Sequence, residues 1–404
     1  MSGMLTLPEA QAQLFALAPK MPGTHVETHL ASGRYLAKDI AALRSQPSAD
    51  LSAMDGYAIS GAGPWKLIGE SRAGAPFGAA VKDGQCIRIS TGAQMPEGSD
   101  RVLIQENAEL AANFVELAKG EVLPEPARHV RSAGFDFAIG QVILTSGTLM
   151  GPAQIALALA AGHHAILVHR IPRIAVIDSG DELVRLPAKV EAHQIPASNG
   201  MMINAMLRPL AGDAALIGPV PDNLDALAHG LDQASDCDII ITSGGASVGD
   251  HDLVQQALRN WGAELTFWKV AIKPGKPLMI ATRQHDGRKT VILGLPGNPV
   301  SSFVTCFLFA LPLIRAAMGN ANPLPNAQNI IAAVDLPATG NRREFLRGIS
   351  DGDTVRPAAI QDSSALMALA QANCLIDRPA GSPAIKAGDR VAVYNIDNGA
   401  IQPI

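Results

Sequence analysis

Between residues 173 and 318 the chain alternates short apolar runs with amphipathic segments, and this alternation limits the fold more than any other feature of its 404 residues. Residues 173–177, 214–220, 238–241 and 290–295 have the length and branched aliphatic content of buried strands, while 199–210, 224–234, 253–261 and 299–318 carry helical periodicity. Strands joined by helical crossovers run parallel, and a parallel sheet is buried on both faces. Residues 173–322 therefore predict an α/β domain built on a parallel sheet. Its last helix is well marked, with Asn298 as N-cap, Pro299 in the first helical position and Gly319 just past the end.

The flanking sequence has a different character. Residues 1–46 predict a helix starting after Thr6-Leu7-Pro8, a turn at Pro22-Gly23 and a second helix over 31–43 with Ser32 as its cap. From Pro47 to about Pro126 the pattern becomes short β-like runs (65–68, 85–89, 101–105, 113–117) punctuated by Gly and Pro. Residues 127–172 include an Ala/Leu-rich helix over 152–161 closed by Gly162. Pairing of this stretch with residues 1–46 makes one mixed scaffold domain, with 47–126 as a β-rich insertion. The tail, 323–404, has β runs at 329–334, 374–377 and 390–394 with turns at Gly340, Gly352 and Gly388, the pattern of a small barrel or sandwich.

Composition removes several function classes. With 48% hydrophobic residues the chain has ample surface to bury, so it folds. Lys+Arg 32 against Asp+Glu 37 gives a net charge of -5, without the broad basic field that nucleic acid requires. Cys86, Cys237, Cys306 and Cys374 are far apart and form no CxxC pair, which suits a reduced, cytoplasmic compartment. The longest apolar stretch, 303–314, is interrupted by Thr305 and Pro312, and residues 1–13 lack a leader pattern, so neither a membrane nor export is expected.

In open α/β sheets, ligands bind outside the carboxyl ends of the strands. Three unusual loops follow strands there: Asp178-Ser-Gly-Asp-Glu182, the glycine-rich run 242–252 and Gly294-Leu-Pro-Gly-Asn-Pro299. Glycine lets successive backbone N–H groups face one anion, and a helix N-terminus adds its dipole. The segment 269–277 supplies Lys269, Lys273 and Lys276, a local cationic cluster in an acidic protein. If 269–273 is a regular strand, Lys269 and Lys273 share a face and can reach one dianion. Opposite them stand Asp181, Glu182, Asp222, Asp250 and Asp252, the oxygen ligands that a magnesium ion on a phosphoanhydride uses. Each loop alone is an ordinary turn or cap; convergence on one sheet edge makes the case. His163, His164 and His169 lack metal-ligand partners, and Met201, Met202 and Met206 read as core. There is no GxSxG elbow and no Walker-type loop.

These loops also carry a resemblance. The chain resembles the molybdopterin molybdotransferases of the MoeA and gephyrin E-domain type, through Ser52-Ala-Met-Asp-Gly-Tyr-Ala-Ile59, Thr91-Gly-Ala-Gln-Met-Pro-Glu-Gly-Ser-Asp100, Ser179-Gly-Asp-Glu-Leu-Val184, Ser243-Gly-Gly-Ala-Ser-Val-Gly-Asp250, Lys273-Pro-Gly-Lys-Pro277 and Leu295-Pro-Gly-Asn-Pro299. The resemblance covers nearly the whole length. It implies an elongated, four-domain homodimer that inserts molybdate into adenylylated molybdopterin and releases AMP with Mg2+. It further implies that Asp55 and Thr91 of the inserted domain face the partner's α/β domain, and that Glu182, Asp222 and Asp252 act at the sheet edge as catalytic and metal-binding carboxylates. Substrate would be held by Ser179, Gly244, Gly245, Ser247, Lys269, Lys273, Lys276, Pro296, Gly297, Asn298 and Pro299, with Arg347 and Ser363 from the C-terminal domain. Molybdopterin adenylyltransferase and molybdoenzyme maturation proteins would be its partners.

This sequence departs from the family pattern at Ser179, where Thr is usual, at Asp222-Asn223, where an acidic pair is usual, and at Gln361-Asp362-Ser363, where Gln-Gly-Ser is usual. Two other readings compete. A related sheet serves pterin adenylylation, which would consume ATP and which the length and the 52–59 motif count against. A scaffold with a vestigial site would lack the carboxylates and lysines that are present here.

Overall fold

Four parallel strands form the centre of the α/β segment: β1 (Ile174–Ser179), β2 (Ala215–Val220), β3 (Ile239–Ser243) and β7 (Arg288–Leu295). The sheet is completed by β4 (Glu264–Lys269) and β6 (Pro277–His285), giving the order β2-β1-β3-β7-β6-β4. β6 runs antiparallel to β7, and β4 pairs antiparallel with β6, so the expected parallel sheet is mixed. The reason is local: Asp286 (φ 48) and Gly287 (φ 73) make the two-residue turn that folds β6 straight back onto β7. Helices α1 (Asn199–Ala211), α2 (Leu224–Gln233), α3 (Leu253–Asn260) and α4 (Pro299–Ala317) accompany the strands. On one face Ile177, Leu227, Leu231, Ile240, Val254, Leu258 and Ile292 pack into a continuous apolar layer. On α1 the buried side is Gly200, Ile203, Asn204 and Leu207. Met201 is 61% exposed and Met202 and Met206 are half-buried, so none of the three is the fully buried core residue it was expected to be.

Helix α4 is apolar and long enough to cross a membrane by length and composition, but 89% of it is buried as the core helix of this unit. It passes through a π-helical turn at Cys306–Ala310 and continues past Pro312. Proline has no N–H to give to the carbonyl four residues back, at Leu308. That carbonyl instead accepts the buried side chain of Gln11 at 2.9 Å. Gln11 belongs to the N-terminal helix Leu7–Leu17, which opens with Thr6 and Glu9 in a reciprocal capping box.

The structure, a computed structural model, describes residues 4–244 and 253–396. Met1–Thr24 and His169–Ile404 make one compact unit, and His25–Val168 the other. In the first unit the tail forms β8 (Gln328–Ala332), β9 (Arg343–Ser350), β10 (Thr354–Pro357), β11 (Cys374–Arg378) and β12 (Arg390–Asn395). Their order is β9-β10-β8-β12-β11, and β11 pairs again with β9, closing a five-stranded barrel. Ile330, Val355, Cys374, Ile376, Val391 and Val393 fill it.

A short strand, β5 (Ile272–Lys273), pairs with the start of β9, Ile272 opposite Arg343 and Lys273 opposite Glu344. This overturns the reading of 269–273 as one regular strand. Lys269 ends β4 in the α/β sheet, the Ile272 N–H turns back to the Val270 carbonyl at 2.8 Å, and Lys273 belongs to the other sheet. The alternation of faces is broken between the two lysines.

In the second unit, Gly56–Ile59, Trp65–Ser71, Gln85–Ile89, Arg101–Ile104, Ala108–Ala111 and Phe114–Leu117 form one six-stranded sheet. Segments on either side of it pair with each other: Ile40 and Ala41 lie opposite Leu144 and Val142, and Leu36 bridges to Val168. The helix expected over 31–43 is absent. A single 3-10 turn at Thr28–Leu30 is closed by Ala31, a turn follows at Gly33 (φ 75), and the chain then runs extended because Tyr35, Leu36 and Ile40 are buried by pairing with Leu149, Val168 and Leu144.

Candidate functional site

At the carboxyl end of β1 the chain turns through Gly180 (φ 152), a conformation that favours glycine. A Cβ at Gly180 would lie 2.6 Å from the Glu182 carboxylate, so this glycine lets Glu182 fold back over the strand end. Across the edge, after β2, the Asp222 N–H donates to the Asp181 carboxylate at 3.0 Å. Asp222 is pushed above the usual carboxylate range, first by partial burial and then by the negative charges of Asp181 and Glu182. Crowded carboxylates with a raised pKa mark a position that a cation would relieve. Among the described residues no three acidic, His or Cys side chains converge closely enough to hold a metal by themselves. Asp252, the third expected ligand, lies outside the described residues, as do Gly245, Ser247 and Asp250.

Beside the carboxylates the strand ends form a hydrogen-bonded cradle. The Asn199 amide, at the start of α1, donates to the Ser243 hydroxyl at 3.0 Å and to the Gly297 carbonyl at 2.7 Å, joining β3 to the loop after β7. Gly244 (φ 101) follows Ser243, and a Cβ there would press on the Ser179 carbonyl at 3.2 Å. Ser179, Gly244 and Gly297 are thereby brought together. Asn199 and Asp178 were not among the expected site residues. Asn199 was legible only as the first residue of a helix, and Asp178 only as part of a loop.

Asn298 occupies the N-cap position of α4, but its side chain makes no cap bond. It donates to the Ser363 hydroxyl at 3.2 Å instead, and the Val300 N–H donates to the Ser363 carbonyl at 3.1 Å. The Ser363 loop is thus held on the Pro296–Pro299 turn. Arg347 is 1% exposed, and its guanidinium donates to the carbonyls of Ile360 and Asp362, bracing that loop from the outer face of β9. The extra carboxylate of Asp362 accepts from the N–H and hydroxyl of Ser364, which hold it below the usual carboxylate range.

Lys269, Lys273 and Lys276 are exposed. Lys273 is paired with Glu344 at 3.2 Å, so a carboxylate already stands where an anion was expected. In the other unit, the Thr91 N–H donates to Asp55 at 2.6 Å. The backbone and side-chain bonds from Thr91 hold Asp55 below its usual range on an exposed turn. Two distant motifs, 52–59 and 91–100, are joined by this contact.

Residues 5–162 match the family described as "MoeA N-terminal region (domain I and II)", residues 175–316 the "Probable molybdopterin binding domain" and residues 329–396 the "MoeA C-terminal region (domain IV)". The chain is 33% identical to the molybdopterin molybdenumtransferase of Nostoc sp., covering 95% of this chain and 92% of that one. It is 32% identical to the protein of that name from Haemophilus influenzae, over 96% and 98%. A crystal structure of the molybdopterin biosynthesis MoeA protein of Pyrococcus horikoshii superposes with a TM-score of 0.80 at 26% identity, over 97% of this chain and 99% of that one. The mixed α/β sheet, the closed barrel and the near full-length relatives agree, and the chain belongs to the MoeA family of molybdopterin molybdenumtransferases.

Proposed function

We propose that the chain is a molybdopterin molybdenumtransferase, an enzyme of molybdenum cofactor biosynthesis that takes adenylylated molybdopterin and molybdate, passes molybdenum to the dithiolene sulfurs and releases AMP. The observation that carries this reading is the meeting, at one sheet edge, of the Asp181, Glu182 and Asp222 carboxylates with the cradle of Ser179, Asn199, Gly244 and Gly297. The name shared by the Nostoc and Haemophilus relatives supports it.

In this reading the exposed backbone of Gly297 and the strand end at Ser179 face the pterin phosphate, where N–H and O–H donors suit phosphate oxygens, while Gly244, whose N–H donates to the Leu295 carbonyl at 3.1 Å, shapes the floor of the cradle. Asp222 and Glu182, joined by Asp252, hold Mg2+. Their crowding suits a divalent cation there. When bound, Mg2+ would supply the positive charge that cleavage of a phosphoanhydride needs. Lys269, Lys273 and Lys276 present compact point charges to molybdate or phosphate, and Ser363, held by Asn298, adds a hydroxyl.

The reading extends to the assembly. The protein acts as a cytoplasmic homodimer in which Asp55 and Thr91 of one chain complete the site of the other. It receives its substrate from a molybdopterin adenylyltransferase and gives its product to molybdoenzymes. Its domains are 1–46 with 127–172, 47–126, 173–322 and 323–404. Incubation of the pure protein with adenylylated molybdopterin, molybdate and magnesium tests the reaction: AMP release and molybdenum incorporation should rise together. Consumption of ATP with no AMP release would make it an adenylyltransferase, and no turnover would leave it a scaffold.

A further inference from the structure

Asp178 is the most deeply buried carboxylate beside the cradle, at 7% exposure on the penultimate residue of β1. It lies opposite Ser243 in the sheet, so both side chains leave the same face. One oxygen, Oδ2, accepts the Gly200 N–H at 3.0 Å. The other, Oδ1, is shut from solvent and accepts no backbone N–H, with the Ser243 hydroxyl the side-chain donor beside the carboxylate. A buried carboxylate is costly, so such groups need a reason.

The helix that Asp178 touches supplies one. Ser198 sits at the N-cap of α1 but its side chain makes no cap bond, so the early N–H groups of α1 must be satisfied from elsewhere. Asp178 does this from the end of a neighbouring strand, adding negative charge where the helix dipole favours it. Position 200 accommodates this only as glycine, because a Cβ would lie 2.4 Å from Oδ2 and 2.9 Å from Cγ of Asp178. The residue before Gly200 is Asn199, whose amide ties Ser243 to Gly297.

We infer that Asp178 is a positioning residue for the pterin-phosphate cradle: it anchors the first turn of α1 to the end of β1, and so fixes the Asn199 amide that joins the two glycine loops. It acts through Asn199 and touches no reacting atom. The assignment of this cradle to the pterin substrate rests on the function proposed above.

The test compares Asp178→Asn, Asp178→Ala, Asp178→Ser, Gly200→Ala and the double variant Asp178→Ser/Gly200→Ala in the full-length protein. Two readouts are used, half-saturating adenylylated molybdopterin and hydrogen exchange of the 198–204 segment. Loss of one charge-assisted bond predicts that Asp178→Ala and Gly200→Ala each raise the half-saturating concentration about tenfold, with a smaller change in turnover, and lose exchange protection at Gly200. Asp178→Asn keeps an acceptor for Gly200 and stays near wild type in both. The decisive arm is the double variant: with the carboxylate gone, an added methyl meets little, so Gly200→Ala should do no further harm beyond Asp178→Ser. Should Asp178→Ala fail to fold, Gly200→Ala, which removes no polar group, carries the comparison. Wild-type affinity in Gly200→Ala, or equal harm from it in both backgrounds, would overturn the inference. A wild-type protein that releases no AMP while exchange follows the expected pattern would refute the proposed reaction and leave the Asp178 anchor standing.

Discussion

The backbone N–H of Asp222 points at the Asp181 carboxylate from 3.0 Å, locking two acidic residues from different loops side by side at the sheet edge. Asp222 is raised by burial and by the charges of Asp181 and Glu182, so its folded-state pKa lies above its unfolded value. Its charge therefore costs stability above that raised pKa, and the cost disappears as pH falls through it. Without metal, Asp222→Asn should melt no lower than wild type at neutral pH, with any gain vanishing in acid. Thermal melts at the two pH values check this.

The same residue should behave in the opposite way in catalysis. Removing a metal-bridging charge loses several kcal/mol of transition-state stabilisation, so Asp222→Asn and Glu182→Ala should each slow magnesium-dependent AMP release by roughly a hundredfold or more. Near-normal rates across a magnesium titration would remove both from the site.

Gln11 satisfies the carbonyl that Pro312 leaves free on Leu308, inside the core. Gln11→Ala strands that acceptor and should lower unfolding stability by about 1–3 kcal/mol, measured by denaturant titration. Restoring an N–H at 312 by Pro312→Ala should recover part of the loss, since the helix can then supply its own donor. No recovery in the double variant would mean that Gln11 acts by packing alone.

Lys273 is held by Glu344 at 3.2 Å, and both groups are at least partly solvated, so the pair itself adds little stability. If Lys273 receives an oxyanion, Glu344 competes for it. Lys273→Gln should raise the molybdate or pterin-phosphate concentration for half-maximal effect by about tenfold, roughly 1.4 kcal/mol. Glu344→Gln should shift it the other way, and both effects should shrink at high salt. Binding curves at two ionic strengths decide the matter; identical shifts for the two variants would contradict competition.

Asp55 is kept ionised by Thr91 and is proposed to serve the partner's site. Asp55→Ala and Glu182→Ala should each be inactive as pure homodimers. Mixed and reassociated at equal amounts, half of the dimers are heterodimers with one intact site of two, so activity should recover to about a quarter of wild type. No recovery in subunits shown to exchange would place all groups of the site on one chain.

The α/β alternation, four of the six strands of the 56–117 sheet and the ends of several helices were written in local patterns: branched aliphatic runs, the Thr6/Glu9 box, glycines past helix ends. Those signals depend on residues a few positions apart, which is why the chain displays them without its fold. The family motifs likewise marked the loops on which the proposed function rests. Tertiary structure decided what distant segments do to one another. The 31–43 segment has helix-compatible spacing but runs extended, because its bridges are to Leu149 and Val168, more than a hundred residues away. Lys269 and Lys273 looked like one strand face until the barrel took β5 for itself. Arg347 reads as a free cation in the sequence and is buried on the outer face of β9, where the 358–362 loop folds over it. Asp178 and Gly200, 22 positions apart, make sense only together, because a carboxylate in a core is tolerable just where a backbone N–H and the space of a missing methyl are delivered to it by another element.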